Sequence, residues 1–246
     1  MLKVTNMHKN YGDLKAVQGI DFEVRPGEIL GFLGPNGAGK TTTIKICSGL
    51  LLPTEGEVTL CDYDIVKEPT QAKKQLGYVP DDPFLYEKLT GRQFLEFVGE
   101  IYDINPQNRH QKIEDMMEQL ELTDKADELI GSYSRGMKRK IALMAGIIHS
   151  PKVLLLDEPT LGLDAVSAKK AKDIIKEMAY KKNTAVLLTT HVMEIAEQIC
   201  DRIAVINKGK LVAVGTLEEL QQKAKDGTTL EEVFVNITKQ QTSDLG

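Results

Sequence analysis

Residues Gly34-Pro35-Asn36-Gly37-Ala38-Gly39-Lys40-Thr41 put glycines, a lysine and a hydroxyl at the spacing of a phosphate-cradling loop. Glycines let successive backbone N–H groups turn inward toward phosphate oxygens. Lys40 would bring a point charge to the β- and γ-phosphates, and the Thr41 hydroxyl would ligate Mg²⁺. Thr42 is expected among the nucleotide-binding residues as well. A helix opening at such a loop aims its positive end at the same anion. The context fits, because residues 29–33 (Ile-Leu-Gly-Phe-Leu) form a continuous apolar run before the loop. After it, Ile44, Cys47 and Leu51 recur at helical spacing, and Pro53 is expected to end that helix.

A second constellation is Val153-Leu154-Leu155-Leu156-Asp157-Glu158, an apolar strand ending in two carboxylates. Asp157 suits a Mg²⁺ ligand, direct or through water. Glu158 could orient and deprotonate an attacking water. Strands that end in acids are common, so the pair gains meaning only behind a phosphate loop. Together the two motifs point to hydrolysis of MgATP or MgGTP. No Asn-Lys-x-Asp guanine-reading sequence is present, and Asn207-Lys208-Gly209-Lys210 matches it only superficially, so ATP is the expected nucleotide.

These residues need a scaffold. Short strands separated by turns are expected in the first third, with residues 21–24 alternating before the turn Arg25-Pro26-Gly27. Between about residues 83 and 150 strand signals vanish and helical periodicity takes over, in residues 91–102 and 107–122. From Lys152 onward strands and helices alternate: a strand to Leu156, a helix from about Val166, a strand over 184–190 and a helix from about Val192. That order predicts a parallel sheet with helices on its faces, and ligands at its strand ends. Residues 202–206 and 210–214 flank a turn and read as a hairpin. The polar tail after Thr238 is expected to fray.

Bulk properties exclude several classes. A net charge of −5 gives no basic field for nucleic acid. Three scattered cysteines predict free thiols in a reducing cytosol rather than zinc or a redox pair. No run approaches the ~20 apolar residues of a membrane helix, so a membrane role would need a partner. His8, His110 and His149 read as structural or solvated, and Lys138-Arg139-Lys140 as a solvated helix face.

Further features narrow the class: Ser134-Arg135-Gly136 before a helix, Gly162-Leu163-Asp164 after the carboxylates, and His191 just past a strand. In this order the motifs resemble those of the ATP-binding subunit of ATP-binding-cassette (ABC) transporters, over residues 2 to about 235. The length and the Thr-Leu-Glu-Glu-Val-Phe stretch at 229–234 resemble the exporter branch, whose membrane subunit is a separate chain.

The resemblance implies an α/β phosphate-loop core with a mostly parallel sheet, an N-terminal antiparallel part and an inserted helical subdomain. The expected domain is single: core at 1–82 and 151–236, helical part at about 83–150, tail at 237–246. It also implies that Tyr11 stacks on adenine and that His191 hydrogen-bonds the γ-phosphate. Ser134 and Gly136 would contact ATP held by a second subunit, and Asp164 would cross that interface. The implied partners are a second cassette in an ATP sandwich and a membrane-spanning permease, with the chain on the cytoplasmic face. Two positions depart from the family pattern. The signature reads Tyr-Ser-Arg-Gly-Met rather than Leu-Ser-Gly-Gly-Gln, and Asp81 replaces a glutamine that touches Mg²⁺. The competing expectations are a non-transport ATPase of the same family and a non-hydrolysing ATP switch.

Overall fold

The structure, a computed structural model, describes residues 1–223. The stretch at 229–234 and the polar tail lie outside the described residues. In chain order the first half runs β1 (Leu2–Tyr11), β2 (Leu14–Val24), β3 (Ile29–Leu33), α1 (Lys40–Cys47), β4 (Glu55–Leu60), β5 (Tyr63–Asp64), α2 (Pro69–Lys74) and β6 (Leu76–Val79). Three helices follow, α3 (Gly91–Ile101), α4 (Pro106–Gln119) and α5 (Arg135–Ile147). The chain then forms β7 (Val153–Asp157), α6 (Ala165–Tyr180), β8 (Ala185–Thr190), α7 (Met193–Ile199), β9 (Arg202–Asn207), β10 (Lys210–Gly215) and α8 (Leu217–Lys223).

Two sheets organise the core. An antiparallel sheet has the order β2-β1-β4-β5, and a six-stranded sheet the order β10-β9-β3-β8-β7-β6. The second is parallel except at β10. Strands β3, β7 and β8 are buried at every residue. This is why they read as unbroken apolar runs rather than alternating ones.

Register brings the strand ends together. Leu33 pairs with Thr190, Asp157 with Thr189, and Val79 with Leu156. The phosphate loop, the carboxylates, His191 and Asp81 therefore leave the sheet from one edge, the carboxyl ends of four neighbouring strands, where ligands bind in such folds.

The helices are capped by their own sequence. Thr90 and Gln93 form a reciprocal capping box on α3, Asn105 caps α4 ahead of Pro106, and Ser134 caps α5. Helix α5 lies directly on β6. A Cβ on Gly77 would fall 2.0 Å from the Gly146 carbonyl oxygen, so only glycine permits this approach. One apolar cluster runs from Phe94, Ile113 and Met117 through Leu143 to Leu154 and Leu156, joining the helices to the sheet.

Several expectations change. The first strands are not short: β1 and β2 run ten and eleven residues. Register shifts after Val4, Met7 and Lys9 break their alternation, which hides them from a period-two reading. Helix α1 ends before Pro53, because Gly49 at φ +68 turns the chain and the Leu50 N–H bonds back to the Lys45 carbonyl at 3.0 Å. The hairpin at β9–β10 and the strand–helix alternation after Lys152 fall as the pattern predicts.

Candidate functional site

At the shared edge lies a cleft of about 1280 Å³. Asn36, Gly37, Gly39, Lys40, Thr41 and Thr42 line one wall, from the loop between β3 and α1. Asp81, Asp157, Glu158 and His191 line another, and Tyr11 stands at the rim. Gly34, Pro35 and Ala38 belong to the loop but do not line the cleft. Gly39 has φ +109, and a Cβ there would meet the Ala16 carbonyl oxygen at 2.7 Å. The loop's conformation and its close support both exclude a side chain at that position.

Lys40 is buried at the base of the loop. Its ammonium donates to the Gly34 and Pro35 carbonyls at 2.6 and 3.1 Å. Burial lowers its pKa, against the opposing pull of Glu158 and Asp157. Asp157 is buried too, and accepts a short hydrogen bond from the Thr189 hydroxyl. Burial raises its pKa; the Thr189 bond and Lys40 pull it down, while Asp81 and Glu158 add to the rise. Two carboxylates, Asp157 and Glu158, thus act on one ammonium.

Glu158 departs from strand geometry with φ +50, a left-handed conformation that costs a non-glycine residue on the order of 1–3 kcal/mol. Its N–H donates to the Thr189 carbonyl at 3.1 Å. Its carboxylate Oε1 lies 2.7 Å from His191 Nδ1, so two residues 33 positions apart form one acid–base pair. Tyr11 is 48% exposed, and Lys9 sits 5.3 Å from its ring centroid while donating to the Leu52 carbonyl at 2.9 Å. Its ring is thus held from behind and open in front.

Ser134, Gly136 and Asp164 do not line this cleft. Ser134 caps α5, accepting from the Met137 N–H at 3.3 Å. Asp164 caps α6, accepting from the N–H groups of Val166 and Ser167 at 3.0 and 2.9 Å and from the Ser167 hydroxyl at 2.6 Å. These contacts hold its pKa down at about 2. The two caps lie near one another in the fold, since a Cβ on Gly136 would come within 3.8 Å of Leu163.

One expectation is overturned: Lys138-Arg139-Lys140 is not uniformly a solvated face. Arg139 is 6% exposed and donates to the Glu158 carbonyl at 2.8 Å and to the Asp81 carbonyl at 2.8 Å, and it pairs with the Asp81 carboxylate. It is the buried member of this run, bonded to the loop after β6, while its neighbours Lys138 and Lys140 are only half-buried. The β9–β10 turn falls where the sequence pattern places it, but its role in the site is not visible there. Gly209 donates to the Ala38 carbonyl at 2.9 Å and accepts from the Gln18 N–H at 2.8 Å, so the turn props the phosphate loop. Lys15, Lys45 and Lys208 add a basic rim to the cleft.

A strand–glycine loop–helix unit and a buried carboxylate at the next-but-one strand end define a phosphate-loop nucleotide-binding protein. The sequence pattern of the family described as ABC transporter matches residues 17–161. The linearmycin resistance ATP-binding protein LnrL of Bacillus subtilis (strain 168) is 37% identical over 231 residues, which cover 94% of this chain and 74% of that protein. The daunorubicin resistance ATP-binding protein DrrA3 of Streptomyces coeruleorubidus is 38% identical over 226 residues, covering 92% of this chain and 71% of that protein. A solved structure of an ATP binding subunit of an ABC transporter superposes with a TM-score of 0.92 at 28% identity, covering 96% of this chain and 99% of that one. The chain belongs to the ABC transporter family, as an ATP-binding subunit.

Proposed function

We propose that this chain hydrolyses MgATP in the cleft and passes the resulting motion to a separate membrane-spanning partner that exports its cargo. The observation that carries the reading is the Glu158–His191 pair at 2.7 Å, set across the cleft from Lys40 and Thr41. Export rests on likeness to relatives whose names record resistance to linearmycin and daunorubicin.

The residues fit the nucleotide and its metal. Lys40 would exchange its two loop carbonyls for phosphate oxygens, and N–H groups of the loop would donate to the same anion. Among the described residues no group of three or more His, Cys, Asp or Glu side chains could hold a metal ion alone. That suits Mg²⁺, which is bound by few protein ligands together with phosphates. Thr41 and Asp157 would hold the ion, with Thr189 fixing the Asp157 carboxylate. Asp81 lines the same cleft, and with its Oδ1 engaged by Arg139 any metal contact would run through its Oδ2, directly or by way of water. When bound, Mg²⁺ neutralises charge on the β- and γ-phosphate oxygens.

Glu158 takes the proton from the attacking water, and His191 holds its carboxylate in place. Tyr11 offers its open face to the adenine ring. Ser134, Gly136 and Asp164, outside this cleft, complete the site of a second cassette in a two-subunit sandwich. Ser134 suits that task because its oxygen accepts the cap bond while its hydrogen stays available for a phosphate. ATP would bind both subunits and favour the closed pair; hydrolysis would reopen it.

Among the described residues no helix is long and apolar enough to cross a membrane. We place the chain at the cytoplasmic face of a membrane through its partner. Phe84, fully exposed, and Tyr86, 59% exposed, lie in the loop between β6 and α3, beside Asp81, and give that partner an apolar foothold linked to the site. The test is an affinity pull-down of the full chain from detergent-solubilised membranes of its native cell. A stoichiometric partner with several membrane spans is the expected outcome. Recovery of soluble partners or ribosomes alone would move the chain to non-transport ATPases and leave the ATP chemistry as argued.

A further inference from the structure

Arg139 sits where three parts of the molecule meet. It is carried by α5, whose N-terminus presents Ser134 and Gly136. One guanidinium nitrogen donates to the backbone carbonyl of Glu158 at 2.8 Å, and the other donates to the backbone carbonyl of Asp81 at 2.8 Å and pairs with the Asp81 carboxylate. Glu158 is the residue held at φ +50; its carbonyl accepts from this side chain and, at 3.2 Å, from the Leu161 N–H, while its own N–H is fixed by Thr189. A planar fork with several fixed donors can satisfy two carbonyls and a carboxylate at once; an ammonium could not do so in one geometry.

We propose that Arg139 is a positioning residue for hydrolysis: it sets the backbone of Glu158, and through Asp81 it ties the orientation of the general base to the position of α5. The inference rests on the reading of Glu158 as the base that activates water. Arg139 touches neither the nucleotide-binding loop nor His191 in the contacts above. Its loss should therefore leave ATP binding intact and misplace the base. A misplacement of about 1 Å can cost about 100-fold in rate. The link also gives α5 a mechanical route to the base, because any rotation of that helix pulls on Glu158 and on the loop at Asp81 together.

The test measures kcat, KM and ATP affinity on the full chain, for the wild type, Arg139→Ala, Arg139→Lys, Arg139→Gln, Asp81→Asn and the Arg139→Ala/Asp81→Asn double variant, with thermal melting of each. The expected result for Arg139→Ala is a fall in kcat of about 10- to 100-fold with ATP affinity within about threefold of wild type. Arg139→Lys should recover part of the loss, and the double variant should be no slower than Arg139→Ala alone, since Asp81→Asn weakens one arm of a linkage that Arg139→Ala already removes. Folded Arg139→Ala with wild-type kcat would overturn the proposal. So would equal losses of kcat and affinity tracking a lower melting temperature, or fully additive losses in the double variant. If Arg139→Ala does not fold, Arg139→Lys and Arg139→Gln decide: a selective fall in kcat supports the proposal and unchanged kcat in both overturns it. Failure of the underlying reading looks different, because the wild type itself would then turn over no ATP or would keep its rate after Glu158→Gln.

Discussion

His191 Nδ1 and Glu158 Oε1 stand 2.7 Å apart, the histidine half exposed and the carboxylate nearly covered. The contact commits one ring nitrogen to the carboxylate and aims both groups into the cleft that holds Lys40. A base held this way needs no side-chain search before it accepts a proton. Glu158→Gln keeps the size and the His191 hydrogen bond but loses basicity. Turnover should fall by about 100- to 10,000-fold while MgATP binding survives. The variant should also collect as an ATP-bound dimer in size-exclusion chromatography. Undiminished turnover would remove Glu158 from the role of base. His191→Ala should lower kcat with little change in ATP affinity, measured in the same assays.

Lys40 donates to the Gly34 and Pro35 carbonyls from within its own loop. In the free protein it therefore holds the loop's shape, and with nucleotide it would neutralise phosphate charge. Lys40→Ala removes both contributions. Charge-assisted hydrogen bonds contribute about 1.5–3 kcal/mol each, so MgATP affinity should drop about 10- to 100-fold or beyond. Equilibrium binding of a fluorescent ATP analogue measures the loss. Wild-type affinity would contradict the assignment of the loop.

Which parts of this site could be read in advance follows from how far apart their partners lie in the chain. The loop at 34–41 and the strand ending in Asp157 are local patterns, since glycine spacing and an apolar run need no tertiary knowledge. Residues 202–215 form the expected hairpin for the same reason. Between two lysines Arg139 reads as solvated, and only docking of α5 on β6, through Gly77 and Gly146, turns it inward. The support of the phosphate loop by Gly209 is likewise invisible, as it links residues 38 and 209 by one backbone hydrogen bond. Strands β1 and β2 run longer than the short strands expected, because bulges spoil their alternation. The sequence shows the groups that do chemistry; the groups that hold them are set by packing.

The three cysteines should differ sharply toward thiol reagents. Cys47 is completely buried in α1, and burial pushes its thiol up to about 12. Cys200 packs its sulfur against β3, where a Cβ on Gly31 would lie 2.7 Å away, and burial also pushes it up to about 12. Cys61 is partly exposed, with the amino terminus 3.4 Å from its sulfur. Only thiolate reacts. A colourimetric thiol titration at neutral pH should thus find one fast group in the native chain and all three after unfolding. Three fast groups in the native protein would mean that the α1 and β3 regions open readily.

His149 should make stability fall in mild acid. Its Nε2 lies 3.0 Å from the Leu76 carbonyl, and its ring stacks on Tyr102 with centroids 3.7 Å apart and planes 9° from parallel. Burial pushes its pKa from 6.5 down to about 4; the Leu76 bond opposes the shift and Lys112 adds to it. Between those values the unfolded chain holds a proton that the folded chain does not. Stability is therefore full above about pH 6.5, is lost as the pH falls, and levels off below about pH 4. At pH 5 the loss from this one ring should be about 2 kcal/mol. His149→Phe keeps a ring to stack on Tyr102 and cannot take a proton. Urea unfolding at pH 7.5 and pH 5 should show a decline in the wild type that exceeds the variant's by about that amount. Equal declines in both proteins would mean that His149 takes its proton in the folded state as easily as in the unfolded one.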